Sequence, residues 1–252
     1  MMTTDPVCGK RMVERTAGAA TLHRGKLYYF CSPEHRDVFE ADPEAYAHNV
    51  PAMALKVGVM GAASGDLPPE VRQAAFDVGA ICAEMGLVVI TGAAPGYPWD
   101  CAKGAQSKGG LSIGVSPALS LDEHVNVYHS PADVFDVLIF TGSGLMGREI
   151  VNIRSSNIVV IIGGHSGTLG EFAIAFDEGK LIGVLDGSGG IADEIPRLLE
   201  AINKPTGANV LFDAEPRALI DKLIKQYVDS HYHYASIFQS GDYSGKTPAL
   251  PG

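Results

Sequence analysis

The sequence predicts an α/β fold, doubly wound around a mostly parallel sheet, on three observations. Short apolar runs of strand length recur from Leu55 onward. Helix-length stretches separate them. Most of the runs end in glycine. Near-continuous apolar strands suit a parallel sheet covered by helices on both faces, and strand–helix alternation marks the doubly wound class.

In chain order the strand candidates are LKVGVMG from Leu55, GLVVITG from Gly86, LSIGVS from Leu111, DVLIFTG from Asp136, NIVVIIGG from Asn157, LIGVLDG from Leu181 and ANVLF from Ala208. Helices are expected near Pro68–Glu84, Trp99–Lys108, Arg148–Ser155, Thr168–Glu178, Ala192–Ala201 and Glu215–Asp229. The segment before Leu55 differs in texture, with cysteines and aromatics close together in DPVCGKRM and GKLYYFCSPEHRDVFEADPEAY. The predicted organisation is therefore a small module over residues 1–48, a large domain over 54–229 and a tail over 230–252, the last rich in Gly, Ser and Pro.

Composition narrows the function classes. The 252 residues are 46% hydrophobic, enough for a sizeable core. A formal net charge of −10 argues against sequence-independent nucleic-acid binding, which rests on neutralising phosphates. It leaves room for a small anion, because local backbone dipoles can bind one against the global field. No apolar run approaches the roughly 20 residues of a membrane span, and the start, MMTTDPVCGK, lacks a signal-peptide layout. Four cysteines at 8, 31, 82 and 101 are too sparse for a disulfide scaffold, so a cytoplasmic setting with free or metal-bound thiols is expected. Cys82 and Cys101 fall on expected helices and are read as packing.

The glycines place a binding edge. Gly61, Gly92, Gly163 and Gly164 all end strands, and in an open parallel sheet ligands bind at the strand carboxyl ends. The sharpest mark is GGHSGT. There the amides of Gly164, His165, Ser166 and Gly167 run into a helix expected to open at Thr168, a ready anion site to which two hydroxyls add donors. Neither a dinucleotide fingerprint nor a Walker lysine is present. A phosphorylated small molecule is the expected guest. Glu171, three residues beyond Thr168, can face the same cleft. Arg148, in GLMGRE, is expected to open the preceding helix beside it. Tyr97 and Trp99 either pack their loop or offer a face to a base.

The stretch GLMGRE…NIVVIIGGHSGTLGE resembles the LOG ("lonely guy") family, and the branch that includes molybdenum-cofactor carrier proteins most of all. The resemblance spans roughly residues 55–228 and includes GVMGAASG and TGAAPGYPWDCAKGAQSKGG. It implies a Rossmann-like fold and a homodimer. In the family's enzymes the arginine and the glutamate of P-G-G-x-G-T-x-x-E split a nucleoside monophosphate into free base and ribose 5-phosphate. The resemblance thus assigns Arg148 and Glu171 to catalysis, and Gly164, Gly167 and Thr168 to the phosphate loop. Such cleavage passes through an oxocarbenium-like sugar that a nearby carboxylate can stabilise. The chain departs from the pattern at Gly163 for the proline, His165 for the second glycine, Gly170 for a frequent second glutamate, and Asn152 for an expected methionine. These departures keep the phosphate cradle and fit a carrier of a nucleotide or molybdopterin-type cofactor as well as a hydrolase.

Residues 5–46 resemble a YHS domain through DPVCGK, GKLYYFCSPEH and FEADPEAY. A unit of this size buries little core alone, so a metal or a docking partner would support it. Cys8, Cys31 and His35 are the candidate ligands, with His23 as a further one, for zinc or copper(I). A third reading follows, in which this module senses metal and gates the cleft.

Overall fold

A computed structural model describes residues 2–234. The N-terminal module contains two small antiparallel pairs: β1 (Met2–Thr4) with β2 (Arg11–Val13), and β3 (Ala19–His23) with β4 (Lys26–Phe30). The β3–β4 loop is Arg24-Gly25, both with positive φ, the conformation a two-residue hairpin turn requires. Two short helices follow, α1 (Pro33–Ala41) and α2 (Pro43–Tyr46), each opened by a proline whose missing N–H costs a first turn nothing. Tyr28, Phe30 and Phe39 fill a small aromatic core between them.

The large unit alternates strictly. Its elements are β5 (Lys56–Gly61), α3 (Pro69–Glu84), β6 (Val88–Thr91), α4 (Tyr97–Ser107), β7 (Ser112–Ser116), α5 (Leu121–Asn126), β8 (Val137–Phe140), α6 (Gly144–Ser155), β9 (Ile158–Ile162), α7 (Ser166–Asp177), β10 (Leu181–Leu185), α8 (Gly190–Ile202), β11 (Asn209–Asp213) and α9 (Pro216–Asp229). Seven strands form one parallel sheet in the order β11-β10-β9-β5-β6-β7-β8. The chain winds one way from β5 to β8 and the other way from β9 to β11, so the topological switch lies between β5 and β9. Both of these central strands are buried, which is why they read as unbroken apolar runs.

Several details differ from the sequence reading, among them an unexpected α5. α6 begins at Gly144, so Arg148 sits one turn inside it; Gly144, at φ +69, turns the chain early. α7 begins at Ser166, which puts Thr168 in its first turn. Residues 231–234, taken with the tail, form a 3-10 turn whose Tyr232 is buried; residues 235–252 of that segment lie outside the described residues.

The two units share one core. Met12, Ala17, Ala20, Leu27 and Tyr29 pack with Leu55, Leu87, Tyr227 and Tyr232 in a single apolar cluster. Leu55 N–H donates to the Gly25 carbonyl at 2.8 Å, the Tyr232 hydroxyl donates to the Ala17 carbonyl at 3.2 Å, and His233 Nδ1 donates to the Arg15 carbonyl at 2.7 Å. A Cβ on Gly25 would lie 1.8 Å from the Gly86 carbonyl oxygen, so glycine lets the hairpin tip touch the loop after α3. The module thus docks at the amino edge of the sheet, one strand length from the carboxyl ends.

Candidate functional site

The switch point opens into a cleft of about 560 Å³ lined by the ends of β5 and β6, the loop into α7, and one face of α6. Gly61, Gly92, Arg148, His165, Ser166, Gly167, Thr168 and Glu171 all line it. The structure therefore brings together eight of the ten residues picked out at this edge. Gly163 and Gly164 build the loop from behind. The Gly163 N–H donates to Ser188 Oγ at 2.8 Å, and the Gly164 carbonyl accepts from Ile191 N–H at 3.0 Å. Gly164 has φ +101, and a Cβ there would lie 2.4 Å from the Thr168 side chain. Only glycine lets the loop fold tightly enough to aim the first amides of α7 outward. His165 Nε2 donates to the Ser64 carbonyl at 3.2 Å, tying the loop to the end of β5.

Arg148 and Glu171 meet in the wall, with Nη1 to Oε1 at 2.9 Å and both side chains about nine-tenths buried. Gly92 makes the room, since a Cβ there would lie 2.0 Å from Arg148 Nη1. Burial raises the Glu171 carboxyl to about 7; Arg148 opposes that shift and Glu149 adds to it.

Glu149 carries no mark in the sequence. It is only 4% exposed and faces the same cleft. Its Oε2 lies 3.3 Å from where a Cβ on Gly170 would be, so its carboxyl fills space that glycine leaves open. Burial raises its carboxyl too, against the pull of Arg148. Oε2 of Glu149, Nε of Arg148 and Oδ1 of Asn152 are buried with no hydrogen-bond partner, while Asn152 Nδ2 donates to Met60 Sδ at 3.2 Å. Three unpaired polar atoms on α6 thus lie buried beside the cleft.

The aromatic residues fall elsewhere. Tyr97 is buried as a wedge beneath Gly61 and Gly163. Trp99 Nε1 donates to Asp133 at 3.2 Å and its ring lies under Lys103, away from the cleft lining. Neither presents a face to a base. Cys82 and Cys101 are fully buried free thiols in the core.

In the N-terminal module Cys8, Cys31 and His35 do converge, and Asp5 joins them. One ligand atom from each of the four lies within 4.8 Å of every other. Cys31 Sγ is 3.9 Å from Cys8 Sγ and 3.4 Å from His35 Nδ1, which is 2.9 Å from Asp5 Oδ2. Burial alone would raise the Asp5 carboxyl. Hydrogen bonds from the Cys31, Val7 and Cys8 amides and from His35 outweigh it and hold the group well below the usual carboxylate range. Burial and the neighbouring Asp5 and Cys8 push the Cys31 thiol up to about 11, a shift a bound cation would reverse. His23 is not part of the cluster; its Nε2 pairs with Glu44 at 3.1 Å. Asp5 escaped the sequence reading because an aspartate before a proline signals a turn first; its pairing with Cys8 three residues on was the available clue.

A family model described as the SLOG cluster4 family matches residues 54–220, and one for the YHS domain matches residues 3–50. The chain belongs to the SLOG cluster4 family. An uncharacterized protein of Archaeoglobus fulgidus is 36% identical over 131 residues, 52% of this chain and 80% of its own length. Among solved structures, the molybdenum cofactor carrier protein of Chlamydomonas reinhardtii is 29% identical with a TM-score of 0.56, covering 69% of this chain and 99% of that one. The molybdenum cofactor binding protein of the phototrophic bacterium Rippkaea orientalis is 28% identical with a TM-score of 0.56, covering 69% and 97%. DNA processing protein A of Streptococcus pneumoniae, 16% identical with a TM-score of 0.50 over 67% of this chain and 61% of its own, shares the fold alone. The SLOG unit is thus a LOG-like Rossmann domain, joined here to a YHS domain.

Proposed function

We propose that the SLOG domain binds a small molecule through its phosphate group, as a carrier of a nucleotide or a molybdopterin-type cofactor. The observation that carries this reading is the loop His165–Thr168 at the start of α7, on the switch-point cleft. Its amides and hydroxyls supply donors, and the helix dipole favours an anion. The likeness to a molybdenum cofactor carrier protein and a molybdenum cofactor binding protein supports the carrier form. The acidic balance argues against nucleic acid as the partner. Calorimetry with nucleoside 5′-monophosphates and a pterin phosphate, with single-stranded DNA as control, tests the reading. Binding of a phosphorylated small molecule, recovered intact, is the expected result. Binding of the DNA alone would overturn it.

One observation favours hydrolysis as a second reading. Glu171 is buried with its carboxyl raised to about 7, where a group can exchange a proton at neutral pH. Arg148 would then hold phosphate or orient Glu171, and Glu171 would stabilise the oxocarbenium-like sugar or direct water. Free base in the calorimetry samples, abolished by Glu171→Ala, would establish it.

Two further parts belong to this proposal. A homodimer would cover the apolar side of the edge strand β8, where Leu121, Val137, Ile139, Leu145 and Met146 are all more than 40% exposed. Leu145 and Met146 also line the cleft, so a second copy would help close it. The YHS domain would hold one divalent cation through Asp5, Cys8, Cys31 and His35. Four donors that include two thiols and a carboxylate fit zinc better than copper(I). Titration should show one zinc per chain, lost in Cys31→Ser; unchanged zinc content in that variant would contradict the site.

A further inference from the structure

A second cavity, of about 800 Å³, lies at the opposite edge of the sheet, between the YHS domain and the SLOG domain. Its size falls within the range of small-molecule sites. Its floor is the amino edge of three adjacent strands, β10, β9 and β5. Lys180 precedes β10, Ser156 and Asn157 precede β9, and Lys56 opens β5, so two lysines flank a polar pair. Lys180 is 7% exposed, and its Nζ donates to the Ser156 carbonyl at 2.8 Å. Arg154, from the last turn of α6, adds a third cation. Two carboxylates, Glu14 and Glu178, also line the cavity, and Glu178 pairs with Arg154 at 2.7 Å.

The wall is aromatic. Tyr29 comes from the YHS domain, Tyr227 from α9, and Tyr232 from the turn beyond it. Burial raises all three phenols, so they present neutral rings. The remaining side is closed by β1 and the segment 50–54 that joins the domains.

This is a costly place to gather like charges. Burial penalises the ammonium of Lys56, which Glu14 partly offsets, and it penalises that of Lys180, which Glu178 attracts while Lys56 and Arg154 repel it. Neither lysine serves the strand-end cleft, which lies a strand length away. A cavity that sets three cations against two carboxylates, with neutral rings on its wall, keeps a surplus of positive charge and is matched to an anion with a flat or apolar body.

We propose that the interdomain cavity is a second ligand site, for a small organic anion bearing a carboxylate or phosphate on an aromatic body. The anionic group lies over Lys56 and Lys180 beside Ser156 and Asn157, and the body lies against Tyr29, Tyr227 and Tyr232. Both domains touch the ligand, so binding clamps the YHS domain onto the SLOG domain. The site stands apart from the switch-point cleft and does not depend on what that cleft holds.

Acetylation of the full chain at neutral pH, read by peptide mass spectrometry, tests this with residue resolution. The probes are phenyl phosphate and benzoate, run separately, so that the two arms identify the anion. At a probe concentration ten times its Kd, modification of Lys56 should slow about tenfold by mass action, with Lys103 and Lys225 unchanged as exposed references. Lys180→Met should weaken that protection, and Thr168→Val, in the other cleft, should leave it intact. Lys56 acetylation unaffected by either probe, or slowed no more than at the reference lysines, would overturn the proposal. So would protection that disappears in Thr168→Val and persists in Lys180→Met, because the probe would then act from the switch-point cleft.

Discussion

At Glu171 burial and a cation pull in opposite directions. Burial wins and raises the carboxyl to about 7, although Arg148 lies 2.9 Å away. Arg148 also has Glu149 as its sequence neighbour, so one cation faces two buried carboxyls. The sign of the pH effect follows. An unfolded glutamate ionises near 4.5, so Glu171 contributes stability below that value and loses it as pH rises through about 7. Relative to Glu171→Gln, the native chain should therefore lose stability between pH 5 and 8, on the order of 2 kcal/mol. Urea unfolding of both proteins across that range checks it, and a constant difference would contradict the assignment. Arg148 and Glu171 were legible in sequence because their motif spacing survives. Glu149 was not, because nothing in a sequence separates a buried acid on an amphipathic helix from a solvated one.

Among the elements, the loop from β9 into α7 concentrates the most constraint. Gly164 takes φ +101 and leaves no room for a Cβ against Thr168. Gly164→Ala should cost about 1–3 kcal/mol through backbone strain and overpacking, and it should weaken phosphate binding by displacing the first amides of α7. Thermal unfolding and calorimetry read the two effects; a variant as stable and as tight as the native chain would show that the loop is less constrained. The strands were legible because the central ones are buried on both faces. Helix starts were less so. Gly144 and Ser166 open α6 and α7 earlier than Arg148 and Thr168 suggest, because capping and turn geometry are set by residues with weak preferences. α5 escaped notice because six residues carry too little periodicity to stand out.

For the whole molecule the informative fact is the docking of the YHS domain at the edge of the sheet away from the cleft. A sensor that gates the cleft would have to act through the strands, roughly 17 Å of packed sheet at about 3.3 Å per residue. No pattern in the sequence foretold that contact; it depends on the hairpin tip at Gly25, on Leu55 and on Tyr232, which are distant along the chain. The same scale carries the dimer. Ile139→Lys, in the exposed edge strand β8, should convert a dimer to a monomer in sedimentation with the fold intact. An unchanged sedimentation coefficient would contradict the proposed dimer through β8.

The proposed ligand site rests on a phosphate group held at the first turn of α7. Phosphorus NMR of nucleoside 5′-monophosphates and a pterin phosphate, titrated with the native chain and with Gly164→Ala, tests it most directly. At least one ligand's phosphate resonance should shift and broaden with the native chain and return to its free position with the variant. A shift that persists unchanged in Gly164→Ala, or no shift for any ligand, would contradict it.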